Sequence, residues 1–176
     1  MLIRHARPDD CAEIAAIYAH HVLHGTASYE TEPPDAAEIS RRMKRVLGSG
    51  WPWLIAEAPD GQMLGYAYAT QFRDRAAYRF VCEDSIYIRD TARGQGVGTA
   101  LLGALIEACT ALGFRQMIAV IGGAEPASEA LHARLGFALA GRLGSIGRKQ
   151  GRWLDTLYMQ RTLGPGNSEP PAFEPS

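Results

Sequence analysis

Long hydrophobic runs are missing from this sequence of 176 residues, and cysteine is scarce. No apolar run approaches the roughly 20 residues that a helix needs to cross a bilayer, so the sequence predicts no membrane-spanning segment. Residues 1–5 lack a signal-peptide pattern, and the three cysteines, Cys11, Cys82 and Cys109, show no C-x-x-C spacing. A reduced protein of the cytoplasm, with no membrane partner, is the simplest expectation.

An excess of positive charge is also absent. The formal net charge is −1 at neutral pH, so no global electrostatic field favours a nucleic-acid partner. His20 and His24 are spaced four residues apart but lack a nearby third ligand, so we expect no metal site. The composition, 47% hydrophobic and 21% charged, is that of an ordinary globular protein with one sizeable core. A local site would therefore have to hold any anionic ligand.

Hydrophobic periodicity and turn residues predict an alternation of strands and helices. The predicted strands are 2–5, 53–58, 63–72, 82–88, 116–121, 137–142 and 153–160. The predicted helices open at Pro8, Asp35, Val97 and Pro126. The order β-α-α-β-β-β-α-β-α-β-β predicts an α+β fold on a mixed sheet. We expect residues 1–163 to form this single domain and the proline-rich residues 164–176 to form a disordered tail.

A glycine-rich turn lies between the fourth predicted strand and the third predicted helix, with the sequence Arg93-Gly94-Gln95-Gly96-Val97-Gly98-Thr99. Glycine lets backbone approach a ligand closely, and a helix start presents unpaired N–H groups and the positive end of a dipole. These features favour an anion-binding site. The spacing matches neither a Walker loop nor the dinucleotide-binding G-x-G-x-x-G. The alternative is a tight turn that only packs on the sheet.

Two segments around this turn carry a resemblance to a known superfamily. Arg93-x-x-Gly96-x-Gly98, preceded by Ser85-Ile86-Tyr87-Ile88-Arg89, resembles the pyrophosphate-binding motif of the GNAT acyltransferases. About thirty residues later, Ala130-Leu131-His132-Ala133-Arg134-Leu135-Gly136-Phe137 resembles the second signature of that superfamily. The resemblance covers residues 3–163, nearly the whole chain.

Four shorter segments are similar to one GNAT group, the phosphinothricin N-acetyltransferase family, which includes enzymes that act on methionine sulfoximine and methionine sulfone. They are Ala27-Ser28-Tyr29-Glu30, Glu83-Asp84-Ser85-Ile86-Tyr87-Ile88, Ala119-Val120-Ile121-Gly122 and Gly151-Arg152-Trp153-Leu154-Asp155. This similarity implies an N-acetyltransferase that passes an acetyl group from acetyl-CoA to the α-amino group of a small amino-acid-like substrate, by direct attack in a ternary complex and without a metal.

The resemblance also implies a fold and a set of cofactor contacts. The fold is a mixed, mostly antiparallel central sheet flanked by helices, with strands that splay apart at the cofactor site. The implied cofactor-binding residues are Ile86, Tyr87, Ile88, Arg93, Gly94, Gln95, Gly96, Val97, Gly98, Thr99 and Glu125. Glu125 departs from the usual asparagine of the family and adds negative charge near a polyanion.

Glu83 is the candidate general base. An α-amino group has a pKa of about 8 and must lose a proton before it can attack. The resemblance places a catalytic glutamate at this position, and the alternative is an edge-strand glutamate that faces solvent. His132 is the candidate acid for the leaving thiolate, where many GNAT enzymes carry tyrosine; the alternative is a helix histidine with one structural hydrogen bond. Free N–H groups of residues 86–88 would stabilise the thioester oxygen.

Two further segments are candidates for binding the acceptor. The first is the loop that holds Tyr29 and Glu30. The second is a connector, residues Arg75, Ala76, Ala77 and Tyr78, whose arginine could hold a carboxylate through two bonds. Without the resemblance, this arginine would be interpreted as a surface charge.

The resemblance further implies a homodimer that forms through C-terminal elements near Trp153, whereas the alternative is a tryptophan buried in its own domain. Two other functions stay open at this point. A protein N-terminal acetyltransferase on the same fold would need an open groove, and a CoA-binding module would need no catalytic residues.

Overall fold

A computed structural model of the chain describes residues 1–172. Seven strands form one sheet in the spatial order β1-β2-β3-β4-β5-β7-β6. The strands are β1 (Leu2–His5), β2 (Trp53–Glu57), β3 (Met63–Gln71), β4 (Val81–Ile88), β5 (Gln116–Gly122), β6 (Ala138–Lys149) and β7 (Arg152–Thr162). Within this sheet β4 and β5 run parallel, and the other neighbouring pairs run antiparallel. The predicted α+β fold on a mixed, mostly antiparallel sheet is confirmed.

Four helices cover the two faces of the sheet. They are α1 (Cys11–His24), α2 (Ala36–Gly48), α3 (Val97–Ala111) and α4 (Pro126–Arg134). The Asp35 side chain caps α2 by accepting a hydrogen bond from the N–H of Glu38 at 2.8 Å, as its position before the helix predicts. The order of strands and helices is the predicted one, with three short 3₁₀ turns added.

The sheet separates two hydrophobic cores. On one face α3 buries Leu101, Leu102 and Leu105 completely, and each such side chain stabilises the fold by about 1.5–3 kcal/mol. On the other face α1 and α2 pack against a second core, which includes Trp53 and Tyr66. Side chains along β4 alternate between these faces, so this one strand supplies residues to both sides of the molecule.

Strands β4 and β5 part before they end. Their pairing runs from Val81 opposite Gln116 to Asp84 opposite Ala119 and then stops, although β4 continues to Ile88 and β5 to Gly122. The gap that opens beyond Asp84 is called the splay here. It is the feature that the resemblance implied.

Strand β6 is longer than predicted. It extends over Ala138–Lys149 rather than 137–142 and ends in a turn with positive φ at Gln150 and Gly151. The prediction stopped early because glycines inside a strand usually mark a break. Here the register shifts between Leu143 and Gly147, and pairing with β7 continues past the irregularity.

The end of the chain begins with a buried anchor, Leu163, followed by turns over residues 164–167 and bends at 168–169. The predicted disordered tail, 164–176, stays a prediction, and its residues 173–176 lie outside the described part of the chain. Among the described residues, no helix has the length and apolarity that a bilayer crossing demands.

Candidate active site

Two clefts meet at the splay. The larger, about 600 Å³, is lined by the glycine-rich turn and the first turn of α3 and is called the glycine cleft. The smaller, about 420 Å³, is lined by Glu30, Glu83 and Asp84 and is called the carboxylate cleft. Ile86 of β4 and Ser128 of α4 line both clefts, so the two spaces communicate where β4 and β5 part.

Backbone conformation explains two of the three glycines in the turn. Gly94 and Gly96 have φ values of 74° and 80°, in the left-handed region that other residues rarely adopt. A Cβ added at either position would meet nothing within 4 Å, so both face open space. Gly98 serves packing instead, because a Cβ there would lie 3.1 Å from a methyl carbon of Leu131 on α4.

The start of α3 offers donors to the glycine cleft. Gly96 precedes the helix, and its carbonyl closes the first turn by accepting from Ala100 N–H at 3.1 Å. The N–H groups of residues 97–99 therefore precede the first intrahelical bond and have no helical acceptor. These donors, with the positive end of the helix dipole, are directed in a way that suits an anion in the cleft.

Most of the predicted cofactor-binding residues line the glycine cleft. They are Ile86, Ile88, Arg93, Gly94, Gly96, Val97, Gly98, Thr99 and Glu125. Gln95 turns away and donates to the carbonyl of Thr91 at 3.0 Å, and Tyr87 lines the carboxylate cleft instead. Glu125 stands at the start of α4 without a side-chain capping bond. The structure adds Arg134 and Arg152, which the sequence patterns did not single out.

The backbone of β4 is directed to two sides. Phe72 N–H donates to the Val81 carbonyl and Arg89 N–H donates to the Leu64 carbonyl, so odd-numbered residues of β4 pair with β3. Since directions alternate along a strand, Ile86 and Ile88 direct their N–H groups towards the splay. The carbonyl of Ile88 meets His21 Nε2 at 2.9 Å. The N–H of Tyr87 faces β3, so this residue contributes its ring rather than a backbone donor to the clefts.

The loop between α1 and α2 closes the carboxylate cleft. The Tyr29 hydroxyl lies 2.6 Å from Thr156 Oγ1 and donates to the Asp155 carbonyl at 3.1 Å, which ties the loop to β7. Its ring packs against Gly147, where a Cβ would come within 2.8 Å of the ring. The bond to Asp155 and the packing on β6 hold Tyr29 as one wall of the cleft.

A polar network lies beneath this loop. Glu30 accepts from Arg42 at 2.7 and 3.3 Å and from the Tyr18 hydroxyl at 3.0 Å. Lys149, only 6% exposed, donates to the Ser28 carbonyl at 2.7 Å. Burial lowers the pKa of Lys149, and the charge of Glu30 partly opposes this. The structure shows that Glu30 fixes the loop on α2, and its role in substrate binding stays a prediction.

Glu83 is a carboxylate without a committed partner. Its side chain makes no hydrogen bond or ion pair with any of residues 1–172. Burial raises its pKa, the charge of Asp84 raises it further, and Arg73 partly opposes both. A carboxylate with a raised pKa and open hydrogen-bonding capacity suits proton transfer near neutral pH.

His132 is buried and held at both ring nitrogens. Nε2 lies 3.1 Å from Asp84 Oδ2, and Nδ1 lies 2.7 Å from the Ser128 carbonyl, one turn back along α4. Burial lowers the pKa of His132, but the bond and charge of Asp84, together with the Ser128 carbonyl, outweigh it, so the pKa lies above its usual value. The sequence analysis did not single out Asp84. Neighbouring residues of a strand point to opposite faces of the sheet, so a residue next to Glu83 is not ordinarily expected in the same site.

The predicted carboxylate-binding connector lies outside the clefts of the described chain. Ala76–Tyr78 is a short 3₁₀ turn, and Arg75, Ala76, Ala77 and Tyr78 are all exposed. The Tyr78 ring packs edge-on against Phe72, 5.9 Å between centroids. Among the described residues that line the carboxylate cleft, none is an arginine or a lysine.

Comparison with known families identifies the family to which this chain belongs. A family described as an acetyltransferase (GNAT) domain matches residues 3–158. The chain belongs to the GNAT acetyltransferase family. Within residues 1–172 of this acetyltransferase, no group of three or more His, Cys, Asp or Glu is arranged to share a metal ion.

Characterised relatives cover nearly the whole chain. It is 52% identical to a phosphinothricin N-acetyltransferase of Alcaligenes faecalis, over 96% of this chain and 86% of the relative. It is 40% identical to an L-methionine sulfoximine/L-methionine sulfone acetyltransferase of Pseudomonas aeruginosa, over 96% and 98%. The crystal structure of a phosphinothricin acetyltransferase from Sinorhizobium meliloti in complex with acetyl-CoA is 52% identical, with a TM-score of 0.96 over 97% of this chain and 92% of that one.

Proposed function

We propose that this GNAT protein is an acetyl-CoA-dependent N-acetyltransferase whose acceptor is the α-amino group of a free amino acid or analogue, of the phosphinothricin, methionine sulfone or methionine sulfoximine type. The names of the relatives support the reaction and the substrate class. The observation that carries the proposal is the meeting of an anion-binding cleft and a small carboxylate-lined cleft at one splay.

The glycine cleft fits acetyl-CoA. The N–H groups of residues 97–99 suit a pyrophosphate, and the open space at Gly94 and Gly96 lets backbone approach it. Arg134 and Arg152 across the cleft add positive charge, whereas Arg93 is paired with Asp90 at 3.3 Å and Glu125 adds a negative charge. The N–H groups of β4 that face the splay suit an extended amide-bearing arm. When bound, the group supplies the acetyl thioester.

Glu83 serves as the base in this proposal. The acceptor enters as an ammonium ion, and the Glu83 carboxylate takes a proton from it, directly or through water. The raised pKa of Glu83 brings its basicity closer to that of the amine. The N–H groups of Ile86 and Ile88 stabilise the negative charge that develops on the thioester oxygen. His132, whose ring nitrogens are bonded to Asp84 and to the Ser128 carbonyl, stays the candidate acid for the leaving sulfur.

The size of the carboxylate cleft favours a small acceptor over a protein chain. A volume of about 420 Å³ is near the lower end of the range for small-molecule sites. The loop that closes it is anchored through Tyr29 to β7, whereas a protein N-terminus would need an open groove. We place the α-carboxylate at the mouth, towards the connector that carries Arg73 and Arg75, because the charge of Arg73 acts on Glu83 there.

Acceptor comparison tests this assignment. At fixed acetyl-CoA, a thiol reagent measures CoA released with methionine sulfone, with its decarboxylated amine and with a peptide that has a free N-terminus. We expect the amino acid to be preferred by at least about tenfold in kcat/KM, roughly 1.4 kcal/mol of transition-state binding, and Arg73→Ala to reduce that preference. Equal rates on the decarboxylated amine, or better rates on the peptide, would contradict the amino-acid assignment.

A homodimer is part of the proposal. The hairpin of β6 and β7 exposes four large apolar side chains: Leu139, Leu143, Ile146 and Trp153. Trp153 is 62% exposed, which argues against the alternative of a tryptophan buried in its own domain. Sedimentation at micromolar concentration should give a dimer, and a 19.1 kDa species alone would count against it. A cytoplasmic location stays a prediction.

A further inference from the structure

Few side chains reach the junction at which the two clefts meet. Within the described chain, the residues that line both clefts are Ala27, Ile86 and Ser128. Alanine and isoleucine side chains carry no hydrogen-bond donor, so Ser128 alone among these three brings a polar side chain to the junction. If acetyl-CoA occupies the glycine cleft and the acceptor occupies the carboxylate cleft, the sulfur that bears the acetyl group has to lie at this junction.

The contacts of His132 leave the hydroxyl hydrogen of Ser128 free. Nδ1 of the ring lies 2.7 Å from the Ser128 carbonyl, and a carbonyl oxygen can only accept, so Nδ1 must carry a hydrogen. Ser128 Oγ lies 3.4 Å from the same nitrogen and can therefore only accept from it. No other contact engages this hydroxyl among residues 1–172, so its hydrogen is free to turn towards a ligand at the junction.

The neighbouring donors of the carboxylate cleft are already in use. The Tyr18 hydroxyl donates to Glu30 at 3.0 Å, and the Tyr29 hydroxyl donates to a carbonyl of β7 at 3.1 Å. The second ring nitrogen of His132 lies 3.1 Å from Asp84 Oδ2, and the ring is only 2% exposed. Two further serines line the cleft, and each contacts a tyrosine hydroxyl: Ser28 and Ser85. The hydroxyl at the junction is a donor that remains available.

A donor at the junction would serve the sulfur that leaves. When the C–S bond of the thioester breaks, sulfur takes the electron pair and becomes a thiolate. A hydrogen bond to a charged acceptor is stronger than one to a neutral acceptor, and a thioester sulfur accepts only weakly. The same hydroxyl therefore stabilises the sulfur more as the bond breaks than before it breaks. An interaction that strengthens in this way raises kcat, because it favours the transition state over the bound substrate.

We propose that Ser128 is a catalytic residue whose hydroxyl donates a hydrogen bond to the sulfur of acetyl-CoA as this sulfur becomes a thiolate. This rests on the proposed function and assigns the contact with sulfur to Ser128 instead of His132. Serine keeps its proton, because an alkoxide is a far stronger base than a thiolate. The sulfur takes the proton that the newly acetylated nitrogen loses, and CoA leaves as a thiol. The proton that Glu83 took from the ammonium ion goes to water, so one proton is released in each turnover.

Ser128→Ala tests this role with little change of shape, since alanine favours the helix and keeps the carbonyl that holds His132. We expect kcat to fall about ten- to a hundredfold, while acetyl-CoA affinity, measured by isothermal titration, stays near wild type. A second measurement needs no turnover. The ultraviolet absorbance of the thiolate of bound CoA is titrated against pH, with the desulfo-CoA complex as the blank. The pKa of this thiol should be higher in the variant, with an acid dissociation constant about tenfold or more smaller.

The outcomes separate the role of Ser128 from the proposed function. A kcat that is unchanged in Ser128→Ala, or a pKa of the bound thiol that is the same as in the wild type, would overturn the role. A higher pKa of this thiol in His132→Gln but not in Ser128→Ala would return the contact with sulfur to His132 and would also overturn it. A wild type that binds CoA but acetylates none of the acceptors would instead contradict the proposed function, and the titration of the thiol would still report on Ser128.

Ser49→Ala is the matched control. Ser49 is exposed at the end of α2, outside both clefts, and its hydroxyl donates to the Arg45 carbonyl at 3.1 Å. This variant loses the same kind of oxygen atom as Ser128→Ala, and it should keep the wild-type kcat and the wild-type pKa of the bound thiol. Equal changes in the two variants would mean that the effect does not come from the junction, and the assignment of Ser128 would be rejected.

Discussion

The glycine cleft and the carboxylate cleft lie on either side of one splay, yet they are built in different ways. The first takes its main donors from one continuous segment, residues 93–99, and uses backbone N–H groups. The second takes side chains from the loop before α2, from β4, from β5 and from α4. A backbone site depends on glycine spacing and a helix start, whereas a side-chain site depends on which distant residues the fold brings together.

This difference has a kinetic consequence. Substitutions in the glycine cleft should act on acetyl-CoA affinity, and substitutions in the carboxylate cleft should act on kcat and on KM for the acceptor. Ala27, Ile86 and Ser128 line both spaces and are the positions where the two effects would mix.

The largest expected effect is that of Glu83→Gln on kcat. Glutamine keeps the shape but cannot take the amine proton, so kcat should fall by roughly 10²–10⁴-fold while acetyl-CoA affinity holds. Because the pKa of Glu83 is raised, wild-type activity should decline as pH falls through that raised value, and the variant should lose this limb. Steady-state kinetics from about pH 5 to about pH 9 measure both.

Glu107→Gln is the matched control for this substitution. Glu107 is exposed on α3, outside both clefts, and its variant should keep the wild-type pH profile. If Glu83→Gln retains full kcat over the same range of pH, Glu83 is not the base. The proton transfer can then no longer be assigned to the carboxylate cleft through this residue.

Gly96→Val should act on the glycine cleft. Valine at φ 80° is strained by roughly 1–2 kcal/mol, and relief of that strain moves the N–H groups at the start of α3. We expect acetyl-CoA affinity, measured by isothermal titration, to fall about tenfold or more while the domain stays folded.

Gly103→Ala provides the comparison within the same helix. Gly103 lies in α3 away from the cleft, where a Cβ would meet nothing within 4 Å. Alanine there should leave affinity unchanged and stabilise the helix by about 0.5–1 kcal/mol. Equal affinity losses in both variants would mean that the effect is general rather than local to the turn.

A smaller effect is expected from Tyr29→Phe. The variant loses the contact with Thr156 Oγ1 and the bond to the Asp155 carbonyl, and each hydrogen bond contributes about 0.5–1.5 kcal/mol. The loosened loop should raise KM for the amino acid by roughly three- to tenfold, with acetyl-CoA affinity unaffected. Tyr158→Phe is the matched control. Tyr158 lies on β7, the strand that carries Asp155 and Thr156, but outside both clefts, so this variant should change neither the KM for the amino acid nor the affinity for acetyl-CoA. A raised KM for acetyl-CoA instead would contradict the assignment of acceptor binding to the carboxylate cleft and of acetyl-CoA binding to the glycine cleft.

Much of the fold follows from local pattern. The alternation of strands and helices, the cap at Asp35 and the turn at Gly94 and Gly96 rest on interactions within a few residues, which sequence reasoning can follow. The length of β6 does not, because glycines interrupt its pattern and only pairing with β7 carries it through Gly147. Hydrophobic periodicity predicts which face of the sheet a residue occupies. It does not predict how many residues stay paired with the neighbouring strand.

The carboxylate cleft could be predicted only in part. Tyr29, Glu30, Glu83 and His132 were identified, and all four line it. Their partners were not: Arg42 lies on the next helix, 12 positions after Glu30, and Lys149 lies on a strand 121 positions after Ser28, and only the fold shows that both reach the loop. The connector with Arg75 shows the reverse case, since nearness in sequence to Glu83 does not bring its side chains into the cleft of the described chain.

The sequence by itself determined the glycine-rich turn and the helix that follows it, because positive φ at glycine and unpaired N–H groups at a helix start are properties of a short stretch of chain. Only the tertiary structure decided that Asp84 and His132 are one buried pair. They are separated by 48 positions, and the bond between them exists because α4 packs over the point where β4 and β5 part. The protonation of a buried histidine depends on the groups that surround it in space, and those are set by the fold.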